Sequence, residues 1–200
     1  MSETYLAIQK EHLKAAWARG EDQLLEALPG ERTGDCLRFN AFGEECELYS
    51  TTISLGGEST TGPEGILISL YSRYVRSEPP QLTPLQSFKE LPHSGPYQAA
   101  FSARSEMVLV PHVVAIEKYR DRLVHRFGGT INADAPSGDF SFTLYPLPRI
   151  PLYYIFYLPD EEFPAAVTCL FVADATKHLP VDALADVAEY TAKRIIQLVQ

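Results

Sequence analysis

The stretch Leu144-Tyr-Pro-Leu-Pro-Arg149-Ile-Pro-Leu-Tyr-Tyr-Ile-Phe-Tyr-Leu158-Pro-Asp-Glu-Glu-Phe-Pro-Ala-Ala-Val-Thr-Cys-Leu-Phe171 decides the fold. From Leu152 to Leu158 large apolar residues follow one another without alternation, which reads as a strand covered on both faces. Such a strand belongs in the middle of a sheet, because at an edge it would template aggregation. Arg149 precedes it between Pro148 and Pro151, and Asp160, Glu161 and Glu162 follow in the next turn. Asp139 to Leu144 and Ala166 to Val172 read as its neighbouring strands.

Outward from this core the pattern turns helical. After His178-Leu179-Pro180, the residues Leu184, Val187, Ala188, Thr191, Ile195 and Leu198 share one face of a C-terminal helix. At the other end, Leu6, Leu13, Trp17, Leu24 and Leu28 predict a single helical stripe from Tyr5 to Leu28, ended by Pro29-Gly30. Leu37 to Ala41 and Glu45 to Tyr49 alternate about a turn at Gly43, a hairpin signature, with a third short strand at Thr52 to Leu55. Cys36 falls out of phase with Leu37, Phe39 and Ala41 and is expected to point away from the face they bury.

Gly62-Pro63 opens a helix with Ile66, Leu67, Leu70, Tyr71 and Tyr74 inward, and Pro79, Pro80 and Pro84 block regular structure after it. Gly95-Pro96 begins a short helix bearing Tyr97, Ala100, Phe101 and Arg104. Pro111 opens a longer one whose stripe is His112, Ile116, Tyr119, Leu123 and Phe127, stopped by Gly128-Gly129. The order of elements predicts an α+β fold: one domain over residues 1–200, a mainly antiparallel sheet, flanking helices and a C-terminal helix.

The composition, 46% apolar and 22% charged, suits a soluble globular chain. A net charge of -9 without any Lys/Arg cluster disfavours nucleic acid and other polyanions. The N-terminus lacks a basic region followed by an apolar one, and no apolar run approaches the roughly 20 residues of a membrane span, so a cytoplasmic protein with no membrane partner is expected. Cys36, Cys46 and Cys169 form no C-x-x-C pair and read as structural thiols.

Three features bear on chemistry. Arg149 has its backbone stiffened by Pro148 and Pro151 and would present a pre-positioned fork, either to Asp160, Glu161 or Glu162 or to a ligand carboxylate. His112, just after a helix-opening proline and in phase with apolar residues, would be held neutral by the helix start, as a metal ligand or as a histidine satisfied by a carbonyl. His93, in a proline-glycine loop, is its competitor, whereas His12, His125 and His178 read as exposed or capping. The acidic turn reads as solvated rather than metal-binding, with Phe163-Pro164 anchoring it to the core. No nucleophile elbow, zinc-binding helix, P-loop or dinucleotide fingerprint is present.

Ser87-Phe-Lys-Glu-Leu-Pro92, Phe127-Gly-Gly129, Gly138-Asp139, Leu147-Pro-Arg-Ile-Pro151, Asp160-Glu-Glu-Phe-Pro164 and Leu170-Phe171 resemble the domain of unknown function 3786 family of anaerobic bacteria and archaea. The resemblance runs from about Leu13 to the end, and its proline-arginine and Asp-Glu-Glu-Phe-Pro pieces are the most specific. Some members carry a four-cysteine Fe–S segment ahead of this domain. This chain shows none, so no Fe–S cluster is carried over. Pro92-His93-Ser94-Gly95 departs from the glycine pair of the family pattern. The family's company with redox and one-carbon proteins implies a cofactor-related role.

The resulting expectation is a non-catalytic protein that binds a tetrapyrrole, haem or corrinoid. Its site would comprise His112, His93, Arg149, Tyr153, Tyr97 and Phe101, with His112 as the axial metal ligand. The alternative is an accessory protein that docks an Fe–S or corrinoid protein partner through its acidic surface.

Overall fold

The computed structural model describes residues 2–132 and 138–200. Two five-stranded antiparallel sheets organise it. The first is a meander of β1 (Glu31–Thr33), β2 (Cys36–Ala41), β3 (Glu44–Leu48), β4 (Ile53–Leu55) and β5 (Glu58–Ser59). The second contains β6 (Leu85–Ser87), β7 (Thr130–Ile131), β8 (Phe140–Leu147), β9 (Ile150–Tyr157) and β10 (Ala166–Val172), in the order β6-β10-β9-β8-β7. The aromatic strand is therefore central, as its unbroken apolar run requires. Ile150 to Leu152 and Tyr154 to Phe156 are buried, so both faces are covered, while Tyr153 is half-buried and Tyr157 is exposed.

Cross-strand register explains the packing. Phe140 opposes Phe156 and Phe142 opposes Tyr154, which puts four rings on one face. Phe140 stacks on Phe156 at 4.6 Å, and Phe142 lies 5.0 Å from Phe156. Proline cannot donate to a ladder, and the β8–β9 hairpin resolves this with an irregularity between Leu144 and Leu147 that holds Pro146. The freed Pro146 carbonyl accepts a hydrogen bond from the Phe42 N–H at 2.7 Å, tying the β2–β3 turn of the first sheet to the second. Phe42 and Gly43 both have positive φ, as the tight hairpin turn at Gly43 demands.

The helices are α1 (Ser2–Trp17), α2 (Glu21–Ala27), α3 (Pro63–Tyr74), α4 (Gln98–Phe101), α5 (Val113–Arg126) and α6 (Val181–Val199). α6 buries Leu184, Val187, Ala188, Thr191 and Ile195 as its periodicity predicts. A single buried apolar cluster extends from Leu13 to Val199. The fold is thus α+β with a C-terminal helix.

The expected single helix from Tyr5 to Leu28 is two, because Gly20 takes φ +94° and breaks the rod while the apolar spacing continues across it. The inward face of α3 is rotated: Leu67, Ile68 and Tyr71 are buried, whereas Tyr74 is 45% exposed. Cys36, out of phase with Leu37, Phe39 and Ala41, is also buried, its Sγ donating to the Thr33 carbonyl in the β1–β2 turn. Phe163 is 66% exposed and does not anchor the acidic turn.

Residues 95–126 form one helical run of changing pitch. It passes from a 3-10 turn (Gly95–Tyr97) through α4, a π segment (Ser102–Glu106) and a second 3-10 segment (Met107–His112) into α5. Pro111 sits inside this run and does not begin it. By length and composition the run would suffice to cross a bilayer, a feature the reading of apolar runs missed. Here Phe101, Leu109, Val113, Ile116 and Leu123 are buried in the core.

Candidate functional site: a cleft at His178

Arg149 is anchored, but to neither expected partner. Its Nε donates to the Ala27 carbonyl at 2.7 Å and its Nη2 to the Glu26 carbonyl at 2.9 Å, so the guanidinium closes the C-terminal end of α2. There the unpaired carbonyls and the negative end of the helix dipole favour a cation. Its backbone N–H donates to the hydroxyl of the fully buried Tyr71 at 3.1 Å. Burial pushes the Tyr71 phenol up, with the Arg149 N–H and charge opposing it.

Asp160, Glu161 and Glu162 could never have met this arginine. Arg149 precedes β9 and the acidic turn follows it, so the eight-residue strand holds them about 26 Å apart at a strand rise of about 3.3 Å per residue. Asp160 instead accepts the backbone N–H groups of Phe163 (2.7 Å) and Glu162 (2.8 Å), which hold its carboxyl below the usual range.

The histidine that the fold buries is His178, which reads in the sequence as exposed or capping. It is 1% exposed, after a 3-10 turn (Ala175–Lys177) whose Ala175 is itself in the core. Its Nδ1 accepts the Arg76 backbone N–H at 3.4 Å, just beyond the end of α3, which assigns the proton of the neutral ring to Nε2. Burial is the main cause of its lowered pKa. Asp174 and, less strongly, Glu78 push the other way, and the charges of Arg149 and Arg76 lower it further.

His178 lines a cleft of about 220 Å³ whose other walls are Arg76, Glu78, Pro79, Gln81, Asp174 and Lys177. Asp174 accepts the Gln81 N–H through both oxygens, at 3.2 and 3.3 Å, and lies 3.8 Å from Lys177 Nζ. Its charge is therefore largely spoken for. Arg76 has no ion-pair partner among the described residues, and Arg149, behind the cleft, is matched only by neutral carbonyls. The cleft sets two cations, Arg76 and Lys177, and two carboxylates, Glu78 and Asp174, around a neutral imidazole.

The other expected site residues are dispersed. Phe101 is 2% exposed and stacks on Phe88 at 4.3 Å, with Phe171 at 5.7 Å, as core. Tyr97 and Phe101 share a cavity of about 290 Å³ with Arg104, Asp182, Asp186 and Glu189. Tyr153 pairs in register with Leu170 and Thr143, and β10 alternates, so it lies on the sheet face opposite Phe171 and hence across the sheet from Phe101. Its hydroxyl lies 3.2 Å from Ser141 Oγ.

His93 is exposed with φ +63°. His112 is half-buried within the continuous helical run, where the Val113 N–H already bonds to the Val110 carbonyl, so the free helix start assumed for it does not exist. Among the described residues no group of three or more His, Cys, Asp and Glu side chains is placed to hold a metal ion. A larger cavity of about 420 Å³ is rimmed by Glu44, Glu58, Glu64 and Arg194, but Arg194 is already paired with Glu44 at 2.8 Å.

The buried imidazole makes a pH prediction. With its pKa depressed in the folded state, His178 contributes stability that is complete above about pH 6.5, the unfolded value, and is lost as pH falls toward the folded pKa. His178→Gln should flatten the decline of unfolding free energy between about pH 7 and pH 5. His12, only half-buried, is shifted the same way by burial and Arg73 against Glu11, and His12→Gln should flatten it less. Denaturant titrations across that range measure both slopes, and an unchanged slope in His178→Gln would refute the assignment.

Two antiparallel sheets, with a polar cleft where α3 ends and α6 begins, define an α+β protein. Residues 22–194 match the family described as a domain of unknown function, DUF3786, and the chain belongs to that family. No curated protein and no solved structure matches it.

Proposed function

We propose that the protein binds a carboxylate-bearing cofactor or small acid, gripping its anionic arm in the cleft between Arg76 and Lys177. The observation that carries this reading is the buried His178, with Nδ1 held by the Arg76 backbone, on a cleft whose Arg76 side chain has no ion-pair partner among the described residues. A neutral Nε2–H donor on a cleft that also holds a guanidinium without an ion-pair partner suits a carboxylate or phosphate. The cleft's 220 Å³ takes a small acid or one carboxylate arm. A tetrapyrrole would enter by a propionate, with its ring outside against the Pro79 rim. This moves the anionic contact from Arg149, whose fork is occupied, to Arg76.

The test is thermal stabilisation of the full chain by succinate, inorganic phosphate and haem. At least one should raise Tm saturably. Arg76→Ala should abolish that rise while leaving the ligand-free Tm within about 2 °C, since the side chain is exposed. A haem-specific rise with a shifted absorption band would favour the tetrapyrrole over a small acid. A flat response to all three probes overturns the proposal and leaves docking of an Fe–S or corrinoid protein as the reading to pursue.

A further inference from the structure

Beside Arg76, the cleft at His178 holds a second unmatched charge of opposite sign. Arg76 and Glu78, in the segment that follows α3, both line it, and both side chains are exposed. Among the described residues neither has an ion-pair partner, and they do not pair with each other. The other two charges are already engaged. Lys177 Nζ lies 3.8 Å from Asp174, and both Asp174 oxygens accept the Gln81 N–H, at 3.2 and 3.3 Å. One guanidinium and one carboxylate are therefore left open, next to a His178 ring whose Nε2–H has no acceptor among the described residues.

We propose that the ligand of this cleft is a small amino acid bound as its zwitterion, an inference that rests on the carboxylate reading above and narrows it. The ligand carboxylate meets the Arg76 guanidinium and the His178 Nε2–H, and its ammonium meets the Glu78 carboxylate. A dianion would satisfy Arg76 but face repulsion from Glu78 and Asp174. Direct pairing of Arg76 with Glu78 at the surface would be worth little, so it does not oppose a ligand that supplies both partners at once. A cleft of about 220 Å³, with Pro79 as its apolar wall, suits a short side chain. No Phe, Tyr or Trp lines it among the described residues, so nothing there favours a quaternary ammonium, whereas a primary ammonium donates directly to Glu78.

Titrations of the full chain with L-alanine, propionate and glycine betaine, read at the His178 nitrogens, test this. L-Alanine should bind about tenfold more tightly than propionate, which lacks only the ammonium, and than glycine betaine, whose nitrogen cannot donate. Glu78→Gln, at an exposed position, should keep the fold and weaken L-alanine about tenfold, while propionate binds at least as well because the repulsion from Glu78 is gone. L-Alanine no tighter than propionate, or a Glu78→Gln variant that weakens both alike, would overturn the amino-acid assignment and leave the anion site standing. Glycine betaine as tight as L-alanine would overturn it in favour of a quaternary ammonium acid. No shift with either L-alanine or propionate would overturn the carboxylate reading itself, and this inference with it.

Discussion

Arg149→Met should cost about 2–4 kcal/mol of unfolding free energy, because two hydrogen bonds from a charged donor are lost and the carbonyls of Glu26 and Ala27 are stranded at the end of a short helix. The bond to Ala27 is part-buried and the one to Glu26 exposed, which keeps the figure below the sum of two buried charge-assisted bonds. Arg149→Lys should recover less than half of the loss, since an ammonium cannot reach two carbonyls with the fixed geometry of a guanidinium. Urea titration measures both variants. A lysine variant as stable as the wild type would show that the fork does not clamp α2 to the β8–β9 hairpin.

Phe156→Ala should cost still more, about 3–5 kcal/mol, since its ring is fully buried between Phe140 and Phe142 and at the centre of the second sheet. Phe156→Leu should cost roughly 1–2 kcal/mol, as much of the volume is kept while the ring contacts are lost. The same substitution on Tyr157, 37% exposed at the end of the strand, should change stability by less than about 1 kcal/mol. Equal losses at positions 156 and 157 would contradict the alternation of faces along β9.

These two sites also show how far the sequence could be read. Strand β9 is legible from its unbroken apolar run, and β8, β10 and the face of α6 from apolar spacings of two or 3.6 residues sustained over six or more positions. Strands β1, β5, β6 and β7 have two or three residues each, too few for any period, and they owe their existence to the neighbours they pair with. The split between α1 and α2 was hidden because the stripe keeps its spacing across Gly20. The π and 3-10 segments were hidden because side-chain periodicity does not record which carbonyl each N–H meets.

The partner of Arg149 was misjudged for a topological reason. Consecutive turns of an antiparallel meander lie at opposite ends of the sheet, so the nearest carboxylates in sequence were the wrong ones in space. His178 was missed because Thr176-Lys177-His178 is a polar run, the composition of a surface turn. The signal that could have found it is the apolar pair on either side, Ala175 and Leu179, both of which are buried. His112 drew attention through Pro111, whose presence inside a helical run that changes pitch is not what a lone proline signals.

The most direct measurement is of the His178 imidazole itself. Long-range proton–nitrogen correlation spectra should show His178 as a neutral ring at pH 7 with the proton on Nε2, as its contact with the Arg76 backbone requires. Adding succinate should shift that nitrogen saturably, at one equivalent per chain, while His93 and His112 stay in place; in Arg76→Ala the shift should vanish. A His178 nitrogen unmoved by succinate, phosphate and haem, or shifts confined to His93 and His112, would contradict the account.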